Sequence, residues 1–164
     1  MSKQLKKGGE FLIAETDCRE IFTPEDFSDE QKQIAATTSS FVENEIFPKI
    51  EEIEDGQFEL VVEGMKKCGE LGLLMIDGPE EYGGLELDKA TSMLAAEKIA
   101  PAGSFSVAYA CHTGIGTLPL VYYGTNAQKE QYLEKLLTGE WMSAYCLTEP
   151  GSGSDALGAR ATAV

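Results

Sequence analysis

The residues best equipped for chemistry lie together near the end of the sequence, in Cys146-Leu147-Thr148-Glu149-Pro150-Gly151-Ser152-Gly153-Ser154-Asp155-Ala156-Leu157-Gly158. An apolar run from Trp141 to Leu147 reads as a strand that empties into a loop of hydroxyls and glycines. Such a loop brings backbone N–H groups close to a ligand, and clustered amides form a concavity suited to anions. The chemistry it fits is the gripping of a planar, anionic cofactor. Glu149 offers a carboxylate for catalysis, but its place beside Pro150 at the mouth of the loop favours fixing the turn by accepting neighbouring N–H groups. Asp155 reads the same way, as a turn or cap residue.

Other constellations are weaker. Gly151, Gly153 and Ala156 satisfy the loose G-x-G-x-x-A form, yet a dinucleotide fingerprint needs a βαβ unit and an acidic residue about 20 positions on, whereas the sequence stops before that position and nothing upstream alternates strand with helix. Cys111 and His112 suggest a nucleophile and its base. Neighbours on a helix point about 100° apart, so the pair reads instead as a core histidine beside a thiol. The cluster Glu43, Glu45, Glu51, Glu52, Glu54, Asp55 and Glu59 reads as a solvated face. Cys18, Cys68, Cys111 and Cys146 lack the spacing of a zinc site or a disulfide framework, and reduced, mostly buried thiols are expected. No metal site and no catalytic residue is assigned.

The elements that must position the loop are helical. Residues 1–23 show no sustained period and read as an extended arm, with Phe11-Leu12-Ile13 available to pin it. Ser28 with Gln31 fits a capping box for a helix over 28–47 carrying Ile34, Phe41, Val42 and Ile46 inward, with Pro48 marking or kinking its end. A second helix is predicted over 57–71, with Val61, Met65, Cys68 and Leu71 on one face and Gly72 as terminator. Leu73–Ile76 reads as a short buried crossing, followed by a loop through Asp77-Gly78-Pro79 and Gly83-Gly84 that either turns or faces a substrate. Asp88 caps a third helix that ends near 99, before Pro101. An apolar fourth helix spans 104–122, and Thr125 or Asn126 caps a fifth through Leu137, with Tyr132, Leu133, Leu136 and Leu137 inward. The reading is an all-α helical bundle at 24–140, followed over 141–164 by the first strand of a truncated β domain, because one strand alone leaves its edges unsatisfied.

Size and composition set outer bounds. The chain has 164 residues, 43% of them apolar, enough for one domain with its own core. With 13 Lys and Arg against 28 Asp and Glu, the net charge of −15 repels nucleic acid and anionic membrane. No apolar run is long enough for a signal peptide or an integral membrane segment, so a soluble, cytoplasmic protein is expected.

The stretch Cys146–Gly158 resembles the signature of the acyl-CoA dehydrogenases, fitting each constrained place: small, aliphatic, Ser or Thr, Glu, two free positions, small, Gly, Ser or Thr, Asp, two free positions, small. The likeness extends to Thr125–Leu133, Leu137-Thr138-Gly139-Glu140 and, further back, Glu80-Glu81-Tyr82-Gly83-Gly84, and looks most like the long-chain and very-long-chain branch. It implies a helical amino-terminal domain followed by a β domain and a helical bundle, with this chain covering about the first third. It also implies FAD as cofactor, with Tyr145, Leu147, Thr148, Gly153 and Ser154 along it: Leu147 and Thr148 at the pyrimidine edge, Gly153 and Ser154 at the pyrophosphate. Ser154 would touch the acyl-CoA as well. The implied reaction is α,β-desaturation of a fatty acyl-CoA in fatty-acid β-oxidation, with electrons passed to electron-transfer flavoprotein, in a protein that is homo-oligomeric at full length. The implied base is a glutamate of the later bundle with no counterpart here, so the chain alone is expected to be inactive. By the same resemblance Val107, Ala108, Cys111, Gly114 and Gly116 border the acyl tunnel, and their modest size leaves depth for a long chain. The rival reading is a non-catalytic helical structural or interaction module.

Overall fold

Each long helix but one begins on a side chain that answers its open amides. The computed structural model describes residues 5–162 and places α1 at Asp29–Phe41, α2 at Ile50–Glu54, α3 at Phe58–Glu70, α4 at Lys89–Ile99, α5 at Ser104–Ala110, α6 at Leu118–Tyr123 and α7 at Asn126–Leu137. Ser28 with Gln31, and Thr125 with Gln128, form reciprocal capping boxes. Asp88 accepts the Thr91 amide at the start of α4. The exception is α3, which follows Gln57 with no side-chain cap.

Two prolines are absorbed rather than acting as stops. Val42–Ile46 and Cys111–Thr117 each form a π-helical turn shortly before Pro48 and Pro119. Proline has no N–H for the preceding turn, and a widened turn lets the chain continue past it. The helix expected over 28–47 therefore runs on through Phe47–Lys49 into α2. The helix expected over 104–122 is α5, the π turn and α6 in series.

The core joins α1, α3 and α5. Phe41, Val42, Ile46, Ile53, Met65, Cys68, Leu73, Leu74, Ile99, Ala102, Phe105 and Tyr109 form one buried cluster. The rings of Phe41 and Phe105 sit 5.8 Å apart. Tyr109 brings its hydroxyl into this core because the Leu73 carbonyl accepts it at 2.9 Å. On the far side α1 packs along α4, and Gln31 joins their two N-termini. Its Oε1 accepts the Ser28 amide at 2.9 Å, while its Nε2 donates to Asp88 and to Thr91 Oγ1 at 3.1 Å. Gln31→Leu strips both caps of their shared partner, and a loss of about 1–3 kcal/mol in urea denaturation is expected.

Several expectations need correction. Phe11, Leu12 and Ile13 pin nothing: they are 42%, 75% and 91% exposed, in a segment of short 3₁₀ turns at Glu10–Leu12, Cys18–Glu20 and Pro24–Asp26. Of the four thiols only Cys68 is buried, and Cys18 and Cys146 are exposed. Leu71 faces outward, beyond the last turn of α3. Tyr132 is partly exposed, its ring 6.0 Å from that of Trp141, so it braces the chain leaving α7 instead of filling the core. Trp141–Leu147 makes no strand ladder, since no neighbouring strand exists among the described residues.

Candidate functional site

The glycine-serine loop is a tight hairpin. Glu149 and Ser152 exchange backbone bonds, 2.9 Å from the Glu149 amide and 3.1 Å from the Ser152 amide, so Pro150-Gly151 forms the tip. Ser152 is buried and donates its hydroxyl to the Asp155 carbonyl at 2.5 Å. Glu149 and Ser152 form an isolated bridge, with Thr148 and Gly153 the residues that flank it and no further pairing beyond among the described residues. The two halves of the expected site, Leu147-Thr148 and Gly153-Ser154, thus lie on either side of one bridged turn.

Their amides are open. The N–H groups of Leu147, Thr148, Gly153 and Ser154, like those of Tyr145 and Cys146, donate to no group among the described residues, whereas those of Glu149, Ser152, Gly158, Arg160 and Ala161 are all used. Tyr145 and Leu147 are 51% and 41% exposed, and a Cβ added at Gly151 or Gly153 would meet nothing within 4 Å. The loop spends the amides that shape it and leaves the others to receive acceptors.

Glu149 is a clamp. Its carboxylate accepts the Arg160 amide at 2.8 Å and the Ala161 amide at 2.9 Å, tying the chain beyond the hairpin to its base. These two amides hold its pKa below the ordinary 4.5, with desolvation opposing. A depressed folded-state pKa means that the clamp stabilises fully above the unfolded value and is lost as pH falls through the folded one. Acidification below 4.5 should therefore release the Arg160 and Ala161 amides to hydrogen exchange before the helices open, and Glu149→Gln should weaken their protection at neutral pH.

On the helical side a groove of about 420 Å³ runs between α3 and the π turn to Tyr145. Phe58, Val61, Met65, Ala108, Cys111 and Met142 make it largely apolar. Of the small residues expected along one tunnel, Ala108 and Cys111 line this groove, while Gly114 lines a separate cavity against α4. Gly116 packs on Ser143, and Val107 is 62% exposed. The π turn begins at Cys111 and shifts only the later glycines, while Val107 and Ala108 diverge because neighbours on α5 point about 100° apart. His112 is 2% exposed, with Nε2 2.9 Å from the Leu136 carbonyl and Nδ1 3.0 Å from the Ser143 amide, so both ring nitrogens are occupied. The sequence offered no signal for that partnership.

The family profile for the acyl-CoA dehydrogenase N-terminal domain matches residues 28–140. The chain belongs to the acyl-CoA dehydrogenase family. A probable acyl-CoA dehydrogenase of Bacillus subtilis (strain 168) is 56% identical over 160 residues, covering 98% of this chain and 27% of that protein. The crystal structure of an acyl-CoA dehydrogenase complexed with FAD from Bacillus anthracis superposes with a TM-score of 0.89 at 54% identity, over 94% of this chain and 26% of that one. Mitochondrial isovaleryl-CoA dehydrogenase of Arabidopsis thaliana is 40% identical over 139 residues, 84% of this chain and 34% of that protein. The chain thus spans about a quarter to a third of the length of these relatives. No helix among its described residues is long and apolar enough to cross a membrane.

Proposed function

We propose that this chain supplies the flavin-gripping amino-terminal part of an FAD-dependent acyl-CoA dehydrogenase that desaturates a fatty acyl-CoA between its α and β carbons. The observation that carries the reading is the pair of open amide sets, Leu147-Thr148 and Gly153-Ser154, flanking the Glu149–Ser152 bridge. Bound FAD supplies the acceptor for the β-hydride. Leu147 and Thr148 hold its pyrimidine edge, where fixed donors stabilise the negative charge that develops on reduction. Gly153 and Ser154 present amides to the pyrophosphate, and Ser154 also meets the acyl-CoA, while Tyr145 lies along the ring system. Amide donors suit a chain whose net charge of −15 leaves few cations for anionic ligands.

No catalytic residue is assigned within these residues; the α-proton base is a carboxylate supplied from outside them. Ala108 and Cys111 leave the apolar groove beside Tyr145 open, which favours a long acyl chain and a role in fatty-acid β-oxidation. The isovaleryl-CoA dehydrogenase relatives favour a short branched substrate as the second reading. Electron-transfer flavoprotein as acceptor, homo-oligomeric assembly and a cytoplasmic location complete the proposal. The test is to express the complete reading frame and titrate it anaerobically with saturated acyl-CoAs of graded length and with isovaleryl-CoA. A yellow protein bleached most readily by long chains is the expected result. A colourless product that takes up no FAD and responds to no acyl-CoA returns the chain to the class of structural modules.

A further inference from the structure

The segment that carries the open amides is irregular and exposed from Ala144 to Thr148, and no sheet among the described residues supports it. Something must nevertheless set its register, because a cofactor edge is recognised only by donors held in place. At its root Ser143 enters the π turn Cys111–Thr117. The Ser143 amide donates to His112 Nδ1 at 3.0 Å, and its hydroxyl lies 3.1 Å from the His112 carbonyl, which also accepts the Thr117 hydroxyl at 2.7 Å. Gly116 makes the room: a Cβ there would lie 2.7 Å from Ser143 Cβ and closer still to its Oγ.

These bonds fix the state of the imidazole. A backbone N–H only donates, so Nδ1 must be bare, and the hydrogen resides on Nε2, donated to the Leu136 carbonyl at 2.9 Å. His112 is neutral and bridges α7 to the outgoing segment. Protonation would set an Nδ1–H against the Ser143 N–H and turn it to the Ser143 hydroxyl, 3.0 Å from Nδ1, so the amide loses its acceptor.

We propose that His112, Gly116 and Ser143 form an interlock in which the neutral imidazole closes the π turn over Ser143 and thereby positions the flavin-contacting backbone from Tyr145 to Thr148. The positioning half stands without the cofactor; the flavin half rests on the function proposed above. His112 is a positioning residue: it acts through the Ser143 amide, two residues before Tyr145. Burial lowers its pKa, with the Leu136 bond opposing. A depressed histidine pKa makes the neutral interlock fully effective above the ordinary value of 6.5 and weaker as pH falls below it. The titratable groups around the ring are few. Cys111 and Tyr145 line the same groove, α3 contributes only apolar side chains there, and Lys135 of α7 is turned toward Glu140 and the Trp141 ring.

The test uses the protein expressed from its complete reading frame, with FAD titration and amide exchange read together. His112→Asn keeps an acceptor where Nδ1 stands but does not titrate; His112→Leu fills the space and accepts nothing. In the native protein, protection of the Ser143 amide should fall about tenfold between about pH 8 and about pH 5.5, relative to the amides of α7. In His112→Asn it should not change with pH. In His112→Leu it should be low at both, with FAD bound about tenfold more weakly than by the native protein at the higher pH. Gly116→Ala should mimic His112→Leu, and Ser143→Gly in the same chain should restore much of the lost affinity by vacating the notch. Equal Ser143 protection in native and His112→Leu protein, or ¹⁵N shifts showing a proton on Nδ1 at neutral pH, overturns the interlock. Native protein that shows the exchange pattern but takes up no FAD overturns the flavin half alone.

Discussion

Gly69→Ala is expected to destabilise the helical domain by about 3 kcal/mol, the upper end of what overpacking costs, and to lower the melting temperature by about 6–12 °C. A Cβ at Gly69 would lie 2.6 Å from the Thr138 carbonyl carbon and 3.2 Å from the Gly139 amide nitrogen. Both obstacles are backbone, which has no rotamer to swing aside. The neighbouring turn is also tight: at Gly139, with φ +75°, an added Cβ would lie 3.2 Å from the Met65 carbonyl oxygen on α3. Gly64→Ala makes an instructive comparison, because its Cβ would meet the Phe105 ring edge at 2.6 Å, a side chain able to tilt, and a smaller loss is expected. Urea and thermal denaturation of the two variants check both the size and the order. The same contact matters for function, since the chain that leaves Gly139 becomes the segment bearing the loop. Its next anchor is the Trp141 amide on the Lys135 carbonyl at 2.9 Å.

Gly153→Pro is expected to weaken FAD binding by the whole protein about 10- to 100-fold while leaving its unfolding midpoint nearly unchanged. Proline removes one amide, and a hydrogen bond to a charged acceptor is worth about 1.5–3 kcal/mol, each 1.4 kcal/mol being tenfold. The Gly153 N–H has no acceptor among the described residues, and a Cβ there meets nothing within 4 Å, so folding gives up little. Ser154→Ala keeps its amide and loses only the hydroxyl. A smaller change in FAD affinity is therefore expected there, with a larger effect on acyl-CoA binding. Fluorescence titration with FAD alongside thermal melts separates the two quantities. Tight FAD binding by Gly153→Pro sinks the assignment of that amide to the pyrophosphate.

Local chemistry made much of this molecule legible from its residues. Ser28 with Gln31, Asp88, and Thr125 or Asn126 announce helix starts because a cap is satisfied within one turn of chain, and the fold chooses Thr125. That Glu149 would accept amides was readable in kind, but its partners, Arg160 and Ala161, lie 11 and 12 positions on, and the hairpin at Pro150-Gly151 emerged only in the fold. The order of residues in Cys146–Gly158 placed the loop in its family without any fold.

What tertiary structure alone decided involves groups distant along the chain. The two π turns arise where Pro48 and Pro119 must be carried through continuous helices, and packing selects that solution over a break. His112 and Ser143 are 31 positions apart, so neither announces the other, and the small side chain of Gly116 acquires its meaning only when Ser143 fills the space beside it. The outward turn of Tyr132 follows from the ring of Trp141 beside it, a contact that helical periodicity does not encode. Periodicity reports which face of one helix is apolar; which neighbour covers that face, and which backbone groups remain for a ligand, is settled when the pieces meet.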